Sequence, residues 1–133
     1  MVRFSSRALL LLVLVVLVGC RPKADDQIEL AANAAKLYYD YLLEGKYDCF
    51  VDGMNQPDSI PDSYRRNLIS STRMFMEQQK AEHQGIRETT ILDAVVNEQE
   101  HTANVFLAFS YGDGTVEQVL VPMVCRNGLW LMR

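Results

Sequence analysis

From Gln27 onward, apolar residues recur every three or four positions: Ile28, Ala31, Ala35, Tyr38 and Leu42. This is the stripe of an amphipathic helix, and its alanines both favour helix and let a neighbour approach closely. Gly45 stands where the helix should stop. A shorter stripe, Tyr47, Phe50, Val51 and Met54, predicts a second helical piece ending near Gly53. Ser59-Ile60-Pro61-Asp62 has the form of a capping box with proline in the first turn, so a third helix is expected to run to about Gln84. Its predicted inner side is Tyr64, Leu68, Thr72, Phe75 and Gln79.

After Gly85 the period becomes two. Ile86–Asn97, Thr102–Tyr111, Thr115–Arg126 and Leu129–Arg133 read as four strands. Gly112-Asp113-Gly114 and Asn127-Gly128 are hairpin turns supplying the positive φ that such turns need. Helices followed by an antiparallel meander make an α+β domain, with three helices on one face of a curved four-stranded sheet.

The N-terminus changes the picture. Arg3 and Arg7 precede an unbroken apolar run from Ala8 to Val18, which is shorter than the ~20 residues a spanning helix needs. The run is therefore expected to be a cleaved signal, residues 1–19. Leu17-Val18-Gly19-Cys20 resembles the bacterial lipobox, which implies diacylglyceryl modification of Cys20 and cleavage after Gly19. Acyl chains contribute ~0.8 kcal/mol per buried CH₂, so two or three make a stable anchor. Residues 20–26 then form a lipidated tether and 27–133 the domain. Position 21 is Arg rather than Asp, so the expected placement is the outer membrane of a Gram-negative envelope, on its periplasmic or surface face. Asp25 and Asp26 are read as capping the first helix in preference to an acidic surface-export tag.

The whole chain has a net charge of −4. Loss of Arg3 and Arg7 makes the exported domain more acidic still. Nucleic acid and electrostatic membrane binding are therefore poor expectations, and membrane contact should come through the lipid.

With Leu43-Glu44-Gly45-Lys46-Tyr47 at the first helix end and Gly128-Leu129-Trp130 in the last strand, the chain resembles small bacterial lipoproteins carrying a nuclear transport factor 2-like (cystatin-like) domain. The resemblance implies a cone in which helices and concave sheet enclose a pocket. It also implies a range of roles, from isomerases and dehydratases to scaffolds without activity. Candidate pocket residues are Tyr38, Tyr41, Tyr64, Phe75 and Trp130.

Candidate chemistry is sparse. Cys49 and Cys125 are the thiols left after lipidation, and in an oxidising compartment they either pair or sit apart as small apolar groups. His83 and His101 lack partners at metal-ligand spacing and read as solvated surface residues, so no metal or other cofactor is expected. Asp93, in the first strand, is the candidate base of an isomerase-like site with a first-helix tyrosine as oxyanion donor. Alternation places Asp93 with Ile91 and Val95, and Thr90, Leu92, Ala94 and Val96 on the other row. Asp58-Ser59-Ile60 matches a bacterial O-glycosylation pattern, though Ser59 is already spoken for as a cap. Phe106, Val119, Val121 and Met123 oppose a second apolar row of Val105, Leu107, Phe109 and Leu120, a pattern that points to a homodimer through the open sheet face.

The leading expectation is a lipid-anchored, non-catalytic binding or accessory module for a small apolar ligand or a protein partner. The alternatives are a small isomerase- or dehydratase-like enzyme centred on Asp93, and a structural envelope protein whose pocket its own side chains fill.

Overall fold

The computed structural model describes residues 24–133; the expected signal, residues 1–19, and Cys20 lie outside the described residues. Helix α1 spans Ala24–Leu43, α2 Tyr47–Asp52 and α3 Asp62–His83. Strands β1 (Ile86–Asn97), β2 (Thr102–Tyr111), β3 (Val116–Arg126) and β4 (Leu129–Met132) follow. They form one antiparallel sheet in sequence order. Three helices on a four-stranded sheet is the expected α+β architecture. Helix α1 begins slightly ahead of Gln27, so Asp25 and Asp26 fall inside its first turn, where they favour the positive end of the helix dipole.

The predicted stripe of α1 is the one that packs. Ala31, Ala35, Tyr38 and Leu42 are all buried, and only Ile28, at the open end, is exposed. Beneath them the sheet presents Val105, Leu107, Phe109, Val121, Met123, Trp130 and Met132. The register pairs Val105 with Val121 and Phe106 with Leu120. This corrects the two apolar rows read from the sequence. Val105, Leu107 and Phe109 share the core face with Val119, Val121 and Met123, while Phe106 and Leu120 share the opposite one. Strand β1 breaks its alternation between Ile91 and Asp93, so Ile91 pairs with Leu107 and Asp93 with Phe106. A bulge of this kind inserts one residue and exchanges the faces beyond it. Ala94 is buried as a result, and Asp93 is exposed.

Helix α3 corrects two expectations. Its N-cap is Pro61, with no side-chain capping bond, so Ser59 is an exposed loop residue. The inward seam is also rolled: Thr72 is buried and Met76 packs on the core, but Tyr64 and Phe75 remain 46% and 39% exposed. A pair from Arg65 to Asp52 of α2 (3.0 and 3.2 Å) ties this end of the helix to α2.

The core cluster runs from Ala31 to Met132, and among the described residues no buried side-chain polar atom lacks a partner. Residues 24–133 thus close their own core, the condition for folding as an independent unit.

Candidate functional site

The concave side of the sheet is filled rather than hollow. Tyr38 runs under the sheet and donates its hydroxyl to the Trp130 carbonyl (2.6 Å). The Trp130 ring donates in turn to Gln27 Oε1 (3.3 Å). Gly53 lacks a Cβ where the Tyr38 ring lies against it, so a side chain there would strike the ring. Tyr39 meets Phe50 edge-on and Phe109 at a tilt, with centroids 5.3 and 5.4 Å apart. Burial raises the hydroxyl pKa of both Tyr38 and Tyr39 above the ordinary tyrosine value.

The five aromatic candidates therefore do not form one pocket. Tyr38 and Trp130 are core residues, Tyr41 is half-buried beside Lys46, and Tyr64 and Phe75 lie on the exposed side of α3. Asp93 points outward and accepts the backbone N–H of Ala94 (2.8 Å). It is not placed to act on anything the core encloses. The carboxylate at the rim of the core is Asp40, which sequence reasoning passed over. It accepts from Thr89 (2.9 Å) and pairs with Lys36 (2.9 Å), so it fastens α1 to β1. Its signal was its place in the tyrosine-rich turn Tyr38-Tyr39-Asp40-Tyr41.

The two thiols are unpaired and differently housed. Cys125 packs against the core opposite Trp130. Cys49, on α2, lies among Lys46, Asp48 and Asp52, and desolvation, then Asp48, pushes its thiol pKa up. His101 is exposed in the first hairpin turn, as expected. His83 is not a solvated residue: its ring stacks on Tyr111 (centroids 4.4 Å) and Nδ1 lies 3.2 Å from Asp113 Oδ2. Among the described residues, no cluster of three or more His, Cys, Asp or Glu side chains could hold a metal, and no helix is long and apolar enough to cross a membrane.

Open space lies elsewhere. A cleft of about 450 Å³ runs between β4, the segment 54–60 and the start of α3. Val51, Met54, Ile60, Leu129 and Leu131 line it, together with two arginines. Arg65 is held by Asp52; Arg126 donates to Asn55 Oδ1 (3.3 Å), the Gln56 carbonyl (3.0 Å) and Asp58 Oδ1 (2.8 Å). Sequence reasoning missed this site because its residues come from two stretches far apart in the chain, 51–65 and 126–131. The one local hint was an arginine directly before the Asn127-Gly128 turn.

No family model matches the chain, and no curated protein matches its sequence. Among solved structures it matches a Campylobacter jejuni protein described as a candidate NTF2-like transpeptidase, with a TM-score of 0.60 and 12% identity. The match covers 75% of this chain and 94% of that one. The domain has the NTF2-like fold. At that identity the likeness concerns the backbone alone.

Proposed function

We propose that the chain is a lipid-anchored lipoprotein of a Gram-negative envelope, and that its NTF2-like domain is a non-catalytic accessory module that binds protein through the outer face of its sheet. The observation carrying this reading is the composition of that face. On the two central strands it presents Thr102, Asn104, Phe106 and Ser110 beside Val116, Gln118, Leu120, Pro122 and Val124, with no charged side chain among them, and Glu88 and Asp93 of β1 stand at its edge opposite Ser110 and Phe106. In an acidic domain such a surface has the charge-depleted composition of an interface core. A second copy is the simplest partner, because a two-fold axis lets one patch cover itself.

A small apolar ligand inside the cone is disfavoured, since Tyr38, Tyr39 and Trp130 already occupy it. The transpeptidase description of the Campylobacter jejuni protein is not carried over. Acyl transfer needs a nucleophile activated by a base or by a lowered pKa, and the Cys49 thiol is shifted the other way.

Two measurements test the proposal. Fatty-acid probes should label the wild type in cells and miss Cys20→Ser; equal labelling would remove the anchor from the reading. Sedimentation equilibrium of residues 21–133 should show a dimer that Leu120→Lys converts to monomer. A wild type that stays monomeric at ~100 µM, well above the usual range for specific interfaces, would rule out self-association.

A further inference from the structure

We infer that the cleft beside β4 is a binding site for a long-chain carboxylate, with Arg126 taking the carboxylate in place of Asp58. Arg126 emerges at the end of β3, and its guanidinium is aimed across the cleft at segment 55–58 by three hydrogen bonds. One goes to a carboxylate already: Asp58 Oδ1, at 2.8 Å. That side chain is 93% exposed, and an ion pair so open contributes little to stability. An incoming carboxylate replaces like with like. It keeps the charge-assisted bond to Nη2 and returns Asp58 to water. The guanidinium also has more N–H donors than these bonds use, so a second contact to the same carboxylate is available.

The rest of the cleft suits a hydrocarbon tail. Met54, Ile60, Leu129 and Leu131 line it, and Leu129 is 56% exposed although it belongs to a strand. Its volume of about 450 Å³ falls within the ~300–1,000 Å³ of small-molecule sites. An extended peptide fits less well, because the free edge of β4 is already paired. Asn55 donates to the Met132 carbonyl (2.7 Å) and Met132 to that of Gly53 (2.8 Å). A peptide could not add there as a further strand, whereas a tail makes no such demand.

The position of the cleft agrees with that ligand. Gln27, in the first turns of α1, is bonded to the Trp130 ring, and Leu129, next along β4, lines the cleft. From Cys20 to Ala24 the chain reaches ~14 Å at most. An acylated Cys20 would therefore keep this end of the domain close to a bilayer, where free fatty acids partition. This last point rests on the proposed anchor; the site itself does not.

The test is a fluorescence titration of residues 21–133 with cis-parinaric acid and, in parallel, with its methyl ester. The acid should bind saturably and the ester about tenfold more weakly, the loss expected for a charge-assisted hydrogen bond. Asp58→Asn removes the resident competitor and should tighten the acid severalfold while leaving the ester unchanged. Arg126→Gln should erase the difference between the two probes. If that variant fails to fold, the Asp58→Asn titrations still decide, because Asp58 is a surface side chain. Absence of saturable binding by wild type and Asp58→Asn would overturn the site. So would equal affinity for acid and ester together with no effect of Asp58→Asn. Fatty-acid labelling of Cys20 reads the anchor independently, so either proposal can fail without the other.

Discussion

Helices α1 and α3 are nearly equal in length, yet they are held in opposite ways. Helix α1 is held by its middle. Ala31 and Ala35 are fully buried, Tyr38 is bonded to Trp130, and Asp40 is bonded to Thr89. Helix α3 is held by its ends. Thr72 is its single buried residue, while Arg65 pairs with Asp52 near one end and the His83 turn is tied to the second hairpin at the other. There the Asp113 N–H donates to the His83 carbonyl (3.0 Å) and the Gly112 N–H to that of Gly85 (2.8 Å). Gly112 has no room for a side chain beside Gln84. The contrast shows that amphipathic periodicity predicts a helix equally well whether packing or end contacts hold it in place.

The sharpest way to break the comparison is to truncate one aromatic from each helix's surroundings. Trp130→Ala, under α1, should cost ~3–5 kcal/mol in urea unfolding. Phe75→Ala, on α3, should stay within ~0.5 kcal/mol. Equal costs would mean that α3 packs as α1 does. Next in size, Tyr38→Phe should lose ~1–2 kcal/mol, because the buried Trp130 carbonyl loses its donor. A neutral result would show that the hydroxyl adds nothing beyond the ring.

Smaller effects probe the end contacts. His83→Ala should change global stability by about 1 kcal/mol or less, as expected for a partly exposed pair. It should nevertheless speed amide exchange in the last turns of α3 and leave β2 and β3 unchanged. Uniform acceleration would contradict a helix held at its ends. The smallest signal is pH dependence at Asp113, whose carboxyl is held down at about 2, from an ordinary 3.8, by hydrogen bonds from Thr115 and then by His83. A depressed folded-state pKa means that this stabilisation is complete above pH ~4 and disappears as pH falls toward ~2. Asp113→Asn should flatten the acid limb of a stability–pH curve in that window. An unchanged limb would assign it to other carboxylates.

Much of the fold could be read along the chain. The strand limits Ile86–Asn97 and Thr102–Tyr111 are those the alternation predicts, and the second and third hairpins turn where glycines stand. Asn127 and Gly128 take φ of 54° and 78°, the left-handed conformation their residue types allow. Periodicity and turn chemistry are local, so a single strand or turn displays them whole. The site was less legible. The aromatic residues chosen as its lining proved to be two core residues, one half-buried residue and two exposed ones.

What the sequence determined by itself is therefore the number, kind and limits of the elements, because backbone dihedrals and side-chain period act over a few residues. The tertiary structure decided which way each element faces. A bulge at Leu92, visible only in the pairing with β2, turned Asp93 to solvent and Ala94 inward. Helix α3 packed with Thr72 and Met76 inward and left Tyr64 and Phe75 outside. With a side-chain period of two in a strand, one inserted residue exchanges the faces, and a helix can roll without losing a backbone hydrogen bond. Neither choice is signalled by local propensity, so long-range contacts made it, and they also brought Arg126 and Leu129 to a cleft shared with Asp58.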